Sequence, residues 1–175
     1  MKYLIVIDVQ NDFVTDALGT KEAQQMLPAL LQKVREFDGE VWMTQDTHAE
    51  NYLQTQEGKL LPVPHCIKGT PGWQLVPELE QLRVQRGATV YEKPTFGSTR
   101  MVHELLRRYQ EGEVESVELV GICTDICVVS NALLLKAAMP ELPIAVDARC
   151  CAGVTPQKHA AALDVMASCQ IEVRQ

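Results

Sequence analysis

Short runs that are apolar at every position, rich in β-branched residues and separated by segments of helical periodicity, restrict this chain to very few architectures. Leu4-Ile5-Val6-Ile7 is representative. A half-buried strand alternates apolar and polar residues, whereas an unbroken apolar run belongs to a strand covered on both faces, as in a parallel sheet between helical layers. Six runs predict strands: Tyr3 to Ile7, Glu40 to Thr44, Thr89 to Glu92, Ser116 to Val120, Pro143 to Val146 and Gln170 to Val173. Between them, Lys21 to Arg35 places Met26, Leu27, Leu30, Leu31 and Val34 on one helical face, and Thr99 to Tyr109 and Thr155 to Ala167 read the same way. The expected class is α/β, a three-layer α/β/α fold around a six-stranded, mostly parallel, Rossmann-like sheet. With no repeat, low-complexity tract or long linker, residues 1–175 read as a single domain. The one long irregular stretch, Asp46 to Gly72, is rich in Gly and Pro, and loops of that length in compact domains usually carry function.

Composition narrows the partners. A formal net charge of −7 leaves no basic stripe to neutralise phosphates, which argues against nucleic acid and anionic membrane surfaces. No segment approaches the roughly 18 uncharged apolar residues of a membrane span. The start of the chain reaches Asp8 after too few apolar residues for a secretory core, and 6 cysteines in 175 residues fall short of a disulfide-dense secreted domain. The expectation is a cytoplasmic protein with reduced thiols acting on a small molecule. The apolar stretch Cys127 to Met139 leaves room for a homo-oligomer.

Ligands of open α/β sheets bind beyond the carboxyl ends of the strands. Asp8 ends the first strand, Asp46 and His48 follow the second, Lys93 follows the third, and the fourth leads through Gly121 to Cys127. With Thr124 or Asp125 capping the next helix, Cys127 falls in its first turn, where free N–H groups and the helix dipole lower a thiol pKa and can hold an oxyanion. The plain alternative is a small buried hydrophobe. Lys93 alone reads as a surface charge. Asp8, closing an apolar strand, must find a cation, a hydrogen bond or a proton, while Asp12 reads as a helix or turn cap. Together Asp8, Lys93 and Cys127 supply a proton shuttle, a cation and a nucleophile, the equipment of an amide hydrolase.

The long loop adds Asp46, His48 and His65, with Glu57 between them, a set suited to zinc, iron or manganese. Otherwise Asp46 caps a turn and His65 packs beside Pro64. Cys123 and Cys127 do not form a C-x-x-C pair. Cys150 and Cys151 point to opposite faces if extended, and Cys169 begins the last strand. His103 and His159 lie on amphipathic helices.

Val6-Ile7-Asp8-Val9-Gln10-Asn11-Asp12-Phe13, Thr44-Gln45-Asp46-Thr47-His48, Pro64-His65-Cys66, Glu92-Lys93-Pro94 and Gly121-Ile122-Cys123-Thr124-Asp125-Ile126-Cys127-Val128 together resemble the isochorismatase-like cysteine hydrolases, and within them the nicotinamidases. The resemblance implies that Cys127 attacks a carboxamide, that Asp8 relays protons, that Lys93 orients both, and that the intermediate is a thioester. It implies a cis peptide between Ile122 and Cys123, with the backbone N–H groups of Cys123 and Cys127 facing the oxyanion. It also implies one divalent metal, zinc first, with iron or manganese as alternatives, on Asp46, His48 and His65, with Glu57 as an extra ligand. The expected substrate is nicotinamide, and also pyrazinamide, between Phe13 and Phe96. Where Thr47 and Phe96 stand, many nicotinamidases carry Trp and Tyr. Two rival readings remain: a related metal-free hydrolase of another amide or a vinyl ether, and a non-catalytic zinc or thiol redox module.

Overall fold

The computed structural model describes residues Met1–Gln175. Six strands, β1 (Lys2–Ile7), β2 (Glu40–Asp46), β3 (Thr89–Lys93), β4 (Ser116–Ile122), β5 (Ile144–Ala152) and β6 (Glu172–Arg174), form one sheet in the order β3-β2-β1-β4-β5-β6. Every pairing is parallel. The order reverses between β1 and β4, which opens a crevice above their carboxyl ends.

Alternation along each strand divides the core into two layers. Leu4 and Val6 of β1 face α2 (Lys21–Glu36) and α4 (Pro77–Arg86), meeting Leu30, Val34, Leu79 and Leu82. Tyr3, Ile5 and Ile7 face the other way, against α5 (Thr99–Gln110), α6 (Val129–Ala138) and α7 (Pro156–Ser168), through Met101, Leu105, Leu135 and Met166. Thr20 caps α2 by accepting from the Ala23 N–H at 3.1 Å, and Gly87, at φ 61°, ends α4 in the left-handed region that glycine occupies without strain.

Some boundaries differ from expectation. β5 does not stop at Val146 but continues to Ala152, carrying Asp147 and Arg149 through the sheet. The last strand begins at Glu172, so Cys169 is not its first residue; it ends α7 and is exposed. Cys150 and Cys151 do face opposite layers. The Asp46 to Gly72 stretch is a built loop, with 3₁₀ turns at Tyr52–Gln54 and Pro71–Trp73 and a short α3 (Gln56–Leu60). The helix α1 (Asn11–Val14) holds Asp12, which is not a simple cap: its carboxylate accepts from the Cys66 N–H at 2.7 Å and pins the far end of the long loop. No helix is long and apolar enough to cross a membrane.

The charges within β5 are neutralised locally. The Lys33 ammonium lies 2.7 Å from Asp147 and also contacts Glu118, while Arg149 pairs with Asp147 at 2.9 Å. Burial alone would raise the Asp147 carboxyl, but Arg149 and Lys33 outweigh it and hold it at about 2. A folded pKa below the unfolded value stabilises above pH ~4 and loses that contribution as pH falls towards 2, an effect of about 2 kcal/mol. Wild type should therefore exceed Asp147→Asn in urea stability by about 2 kcal/mol more at pH 5 than at pH 2. An equal gap at both pH values would contradict the assignment.

Candidate active site

Asp8 follows β1 at φ 50°, a left-handed conformation that aspartate tolerates better than most residues and that turns its carboxylate into the crevice. Its N–H bonds the Thr44 carbonyl at 3.2 Å, and the Thr44 hydroxyl donates to Oδ1 at 2.7 Å. Oδ2 lies 2.6 Å from Lys93 Nζ and has no other partner in the protein.

Lys93 is not the surface charge its type suggests. Its side chain is 1% exposed, with Nζ also 3.4 Å from Asp46 Oδ1 and 3.5 Å from Cys127 Sγ. Burial would lower its pKa, but Asp8, Cys127 and Asp46 outweigh burial and keep it cationic. Burial pushes the Asp8 carboxyl above its ordinary range against the pull of Lys93. The Cys127 thiol is also pushed well up, by burial and by Asp8, with Lys93 opposing. This runs against the expectation of a thiol lowered by a helix start: burial and the Asp8 and Asp46 carboxylates raise the Cys127 thiol, and Lys93 is the one cation that opposes them.

The turn bearing Cys127 also departs from expectation. Residues Thr124–Val128 form a π-type turn whose N-cap is Cys123, and neither Thr124 nor Asp125 caps it. The Thr124 hydroxyl is instead 2.7 Å from His159 Nδ1, and Asp125 accepts from the Val154 N–H at 2.9 Å. π-type turns inside helices frequently mark functional sites. The Ile122–Cys123 peptide is cis. The Cys123 carbonyl accepts from Ile126 and Val128, while its N–H makes no hydrogen bond within the protein. Gly121, at φ 123°, precedes this turn, and a Cβ there would lie 2.2 Å from the Ile7 carbonyl oxygen, so only glycine lets β4 approach β1 as it enters the site.

Asp46, His48, Glu57 and His65 each offer a ligand atom, all within 4.8 Å of one another. His48 Nε2 is 2.9 Å and His65 Nε2 3.6 Å from Asp46 Oδ2, and both lie 3.7 Å from Glu57 Oε1. His65 Nδ1 contacts the Val63 carbonyl at 2.8 Å, which leaves Nε2 to face the cluster as a metal-binding imidazole does. Burial would raise the Asp46 carboxyl, but His48, His65 and Lys93 outweigh it and hold it well below the usual range. The donor set fits a divalent metal. Gln10 supports it: buried, it donates to the Asp46 and Trp73 carbonyls at 2.9 and 2.8 Å and accepts from the Asp46 N–H at 2.7 Å. Sequence reasoning assigned Gln10 and Thr44 no role, although both sit within the motifs that carried the resemblance.

A cavity of about 280 Å³ joins the two groups, lined by Asp46, Glu57, His65, Cys123 and Cys127 among polar and sulfur residues and by Phe13, Phe96 and Ile126 among apolar ones. Its size is at the lower end for ligand pockets and suits a small molecule. Phe13 is buried, whereas Phe96 stands at the mouth, 44% exposed. Cys66 is buried behind the cluster, its thiol pushed up by burial.

The family model described as "Isochorismatase domain" matches residues 2–175. A Bacillus subtilis protein described as an uncharacterized isochorismatase family protein, PncA, is 32% identical over 95% of this chain and 94% of its own. A nicotinamidase/pyrazinamidase from Mycobacterium tuberculosis is 29% identical over 99% of this chain and 98% of its own. The crystal structure of a pyrazinamidase/nicotinamidase from Streptococcus mutans superposes with a TM-score of 0.84 at 28% identity, covering 99% of both chains.

Proposed function

The chain belongs to the isochorismatase domain family, and from that premise we propose that it is a nicotinamidase, hydrolysing nicotinamide to nicotinate and ammonia and acting also on pyrazinamide. The observation that carries this reading is the meeting of Lys93 and Asp8 behind Cys127, which itself lines a small cavity together with Asp46, Glu57 and His65 of the candidate metal cluster. The likeness to nicotinamidase relatives supports the choice of substrate.

Asp8 takes the Cys127 proton as Sγ attacks the carboxamide carbon. The N–H groups of Cys123 and Cys127 hold the resulting oxyanion, and the free Cys123 N–H has no competing partner to leave. As the C–N bond breaks, Asp8 returns the proton to departing ammonia and a thioester remains on Cys127. Asp8 then takes a proton from water, the hydroxyl attacks the thioester, and the acid leaves with the thiol restored. Lys93 keeps Asp8 and the sulfur in register and balances the charge on whichever is anionic. Phe13 and Phe96 sandwich the ring. Asp46, His48 and His65, with Glu57, would hold a divalent ion, zinc before iron or manganese, which when bound offers the ring nitrogen a coordination site. The acid product and neutral substrate need no basic funnel, which is compatible with the net charge of −7.

Ammonia release from nicotinamide by purified protein tests the activity; no release from any pyridine carboxamide would sink it. Protein prepared without chelators is expected to contain about one equivalent of metal by elemental analysis, falling below about a tenth in a His48→Ala/His65→Ala variant. Wild-type protein below a tenth of an equivalent would favour a metal-free hydrolase of another amide or a vinyl ether.

A further inference from the structure

We propose that Asn131 is a positioning residue that fixes the aromatic wall at Phe96 relative to the nucleophile Cys127, and so sets where a substrate ring sits. The inference rests on the hydrolase reading above for its substrate, but not for its geometry. Asn131 lies at the start of α6, one turn beyond Cys127, and is wholly buried. Its amide nitrogen donates to the Cys127 carbonyl at 2.8 Å and to the Phe96 carbonyl at 3.2 Å, and its oxygen accepts from the Ser98 N–H at 2.9 Å. One side chain thus ties the nucleophile's own backbone to both ends of the segment that carries Phe96.

The local backbone explains why a side chain is needed there. The segment from Phe96 to Ser98 belongs to no strand or helix and would otherwise bury unpaired backbone groups. The asparagine amide pairs with that segment's backbone and with the Cys127 carbonyl at once. Gly97 completes the contact: a Cβ there would fall 2.3 Å from Leu134 Cδ1, so the segment lies directly on α6. Phe96, though 44% exposed, is therefore held by the helix of the nucleophile and not by β3 alone. Phe96 points into the cavity beside Cys127, Cys123 and Ile126.

Two independent measurements test this. For nicotinamide, Asn131→Ala should lower kcat/KM about tenfold, mostly through KM, because the ring loses its wall while the sulfur and Asp8 keep theirs. The same substitution in a Phe96→Ala background should have at most a twofold further effect, since coupled residues are non-additive. Separately, alkylation of Cys127 can be followed by peptide mass spectrometry with iodoacetamide and with N-phenyliodoacetamide, using exposed Cys169 as the internal reference. Relative to Cys169, wild-type Cys127 should favour the phenyl reagent; Asn131→Ala should lose that preference while its iodoacetamide rate stays within about twofold. If Asn131→Ala does not fold, Gly97→Ala, which lifts the segment off Leu134, should show the same pattern. The proposal is overturned if the phenyl preference survives in both variants, if both reagents slow equally, or if the Asn131 effect is undiminished without the Phe96 ring. If wild type releases no ammonia from nicotinamide yet the phenyl preference is lost as expected, the substrate reading fails and the positioning role stands.

Discussion

Replacing Cys127 by alanine is expected to lower hydrolysis of nicotinamide by about four orders of magnitude or more, with substrate affinity and the melting temperature little changed. The size follows from what remains: removing a nucleophile leaves only binding and oxyanion stabilisation, which in comparable hydrolases retain a small residue of the rate. The fold should survive because Cys127 is one small buried side chain in a core layer of 22 buried residues, and the loss of a single sulfur costs little beyond a small cavity. Cys127→Ser should be almost as inactive, since a hydroxyl is harder to deprotonate than a thiol that burial has already pushed up. Hydroxylamine provides the decisive readout: in wild type it should intercept the thioester and yield the hydroxamate of nicotinate, and in Cys127→Ala it should not. Ammonia release at the wild-type rate from the alanine variant would remove Cys127 from the mechanism. Wild-type turnover without any hydroxamate would instead point to direct attack by water.

That expectation is sharper than sequence alone allowed. Strand-end placement of Asp8, Lys93 and Cys127 follows from the parallel-sheet pattern, and the sheet brings all three together. Their protonation was not legible, because it depends on how many carboxylates share one ammonium, and Asp46 joins that group only once β2 extends to its seventh residue. The capping of the Cys127 turn was misread for a similar reason. Thr124 and Asp125 are good caps by type, but their partners, His159 and Val154, arrive from α7 and the segment before it, far along the chain. The helix α4 is not among the helical segments read from the sequence, and it buries only Leu79 and Leu82. The sequence pattern ends the fifth strand at Val146, before the charge of Asp147, whereas Lys33 of α2 lies over that charge and the strand runs on to Ala152. In each case the local pattern was sound and a tertiary partner decided the outcome.

Lys93→Met should combine the largest stability effect with a near-complete loss of activity. The ammonium touches two carboxylates and the thiol, and Asp8 Oδ2 has no other partner, so its removal leaves a buried carboxylate uncompensated. Breaking a buried pair in this way typically costs about 3 to 5 kcal/mol, or a fall in Tm of about 10 °C for a chain of this size. The cost must depend on pH with a definite sign. Without Lys93 the Asp8 carboxyl rises further above its unfolded value, so stability is fully present below pH ~4 and is lost as pH increases. Urea unfolding should therefore show wild type and Lys93→Met nearly equal at pH 4 and widely separated at pH 7.5; parallel curves would mean that Lys93 does not compensate Asp8. Lys93→Arg should not rescue activity, since a planar guanidinium cannot replace a compact ammonium set 2.6, 3.4 and 3.5 Å from three groups. The double variant Asp8→Asn/Lys93→Met removes both charges, and should regain most of the stability lost by Lys93→Met at pH 7.5 while remaining inactive. That combination would separate the two roles of the pair: the fold can dispense with a buried lysine and aspartate together, whereas the proposed hydrolysis requires both, the aspartate as the base for Cys127 and the lysine as the cation beside it.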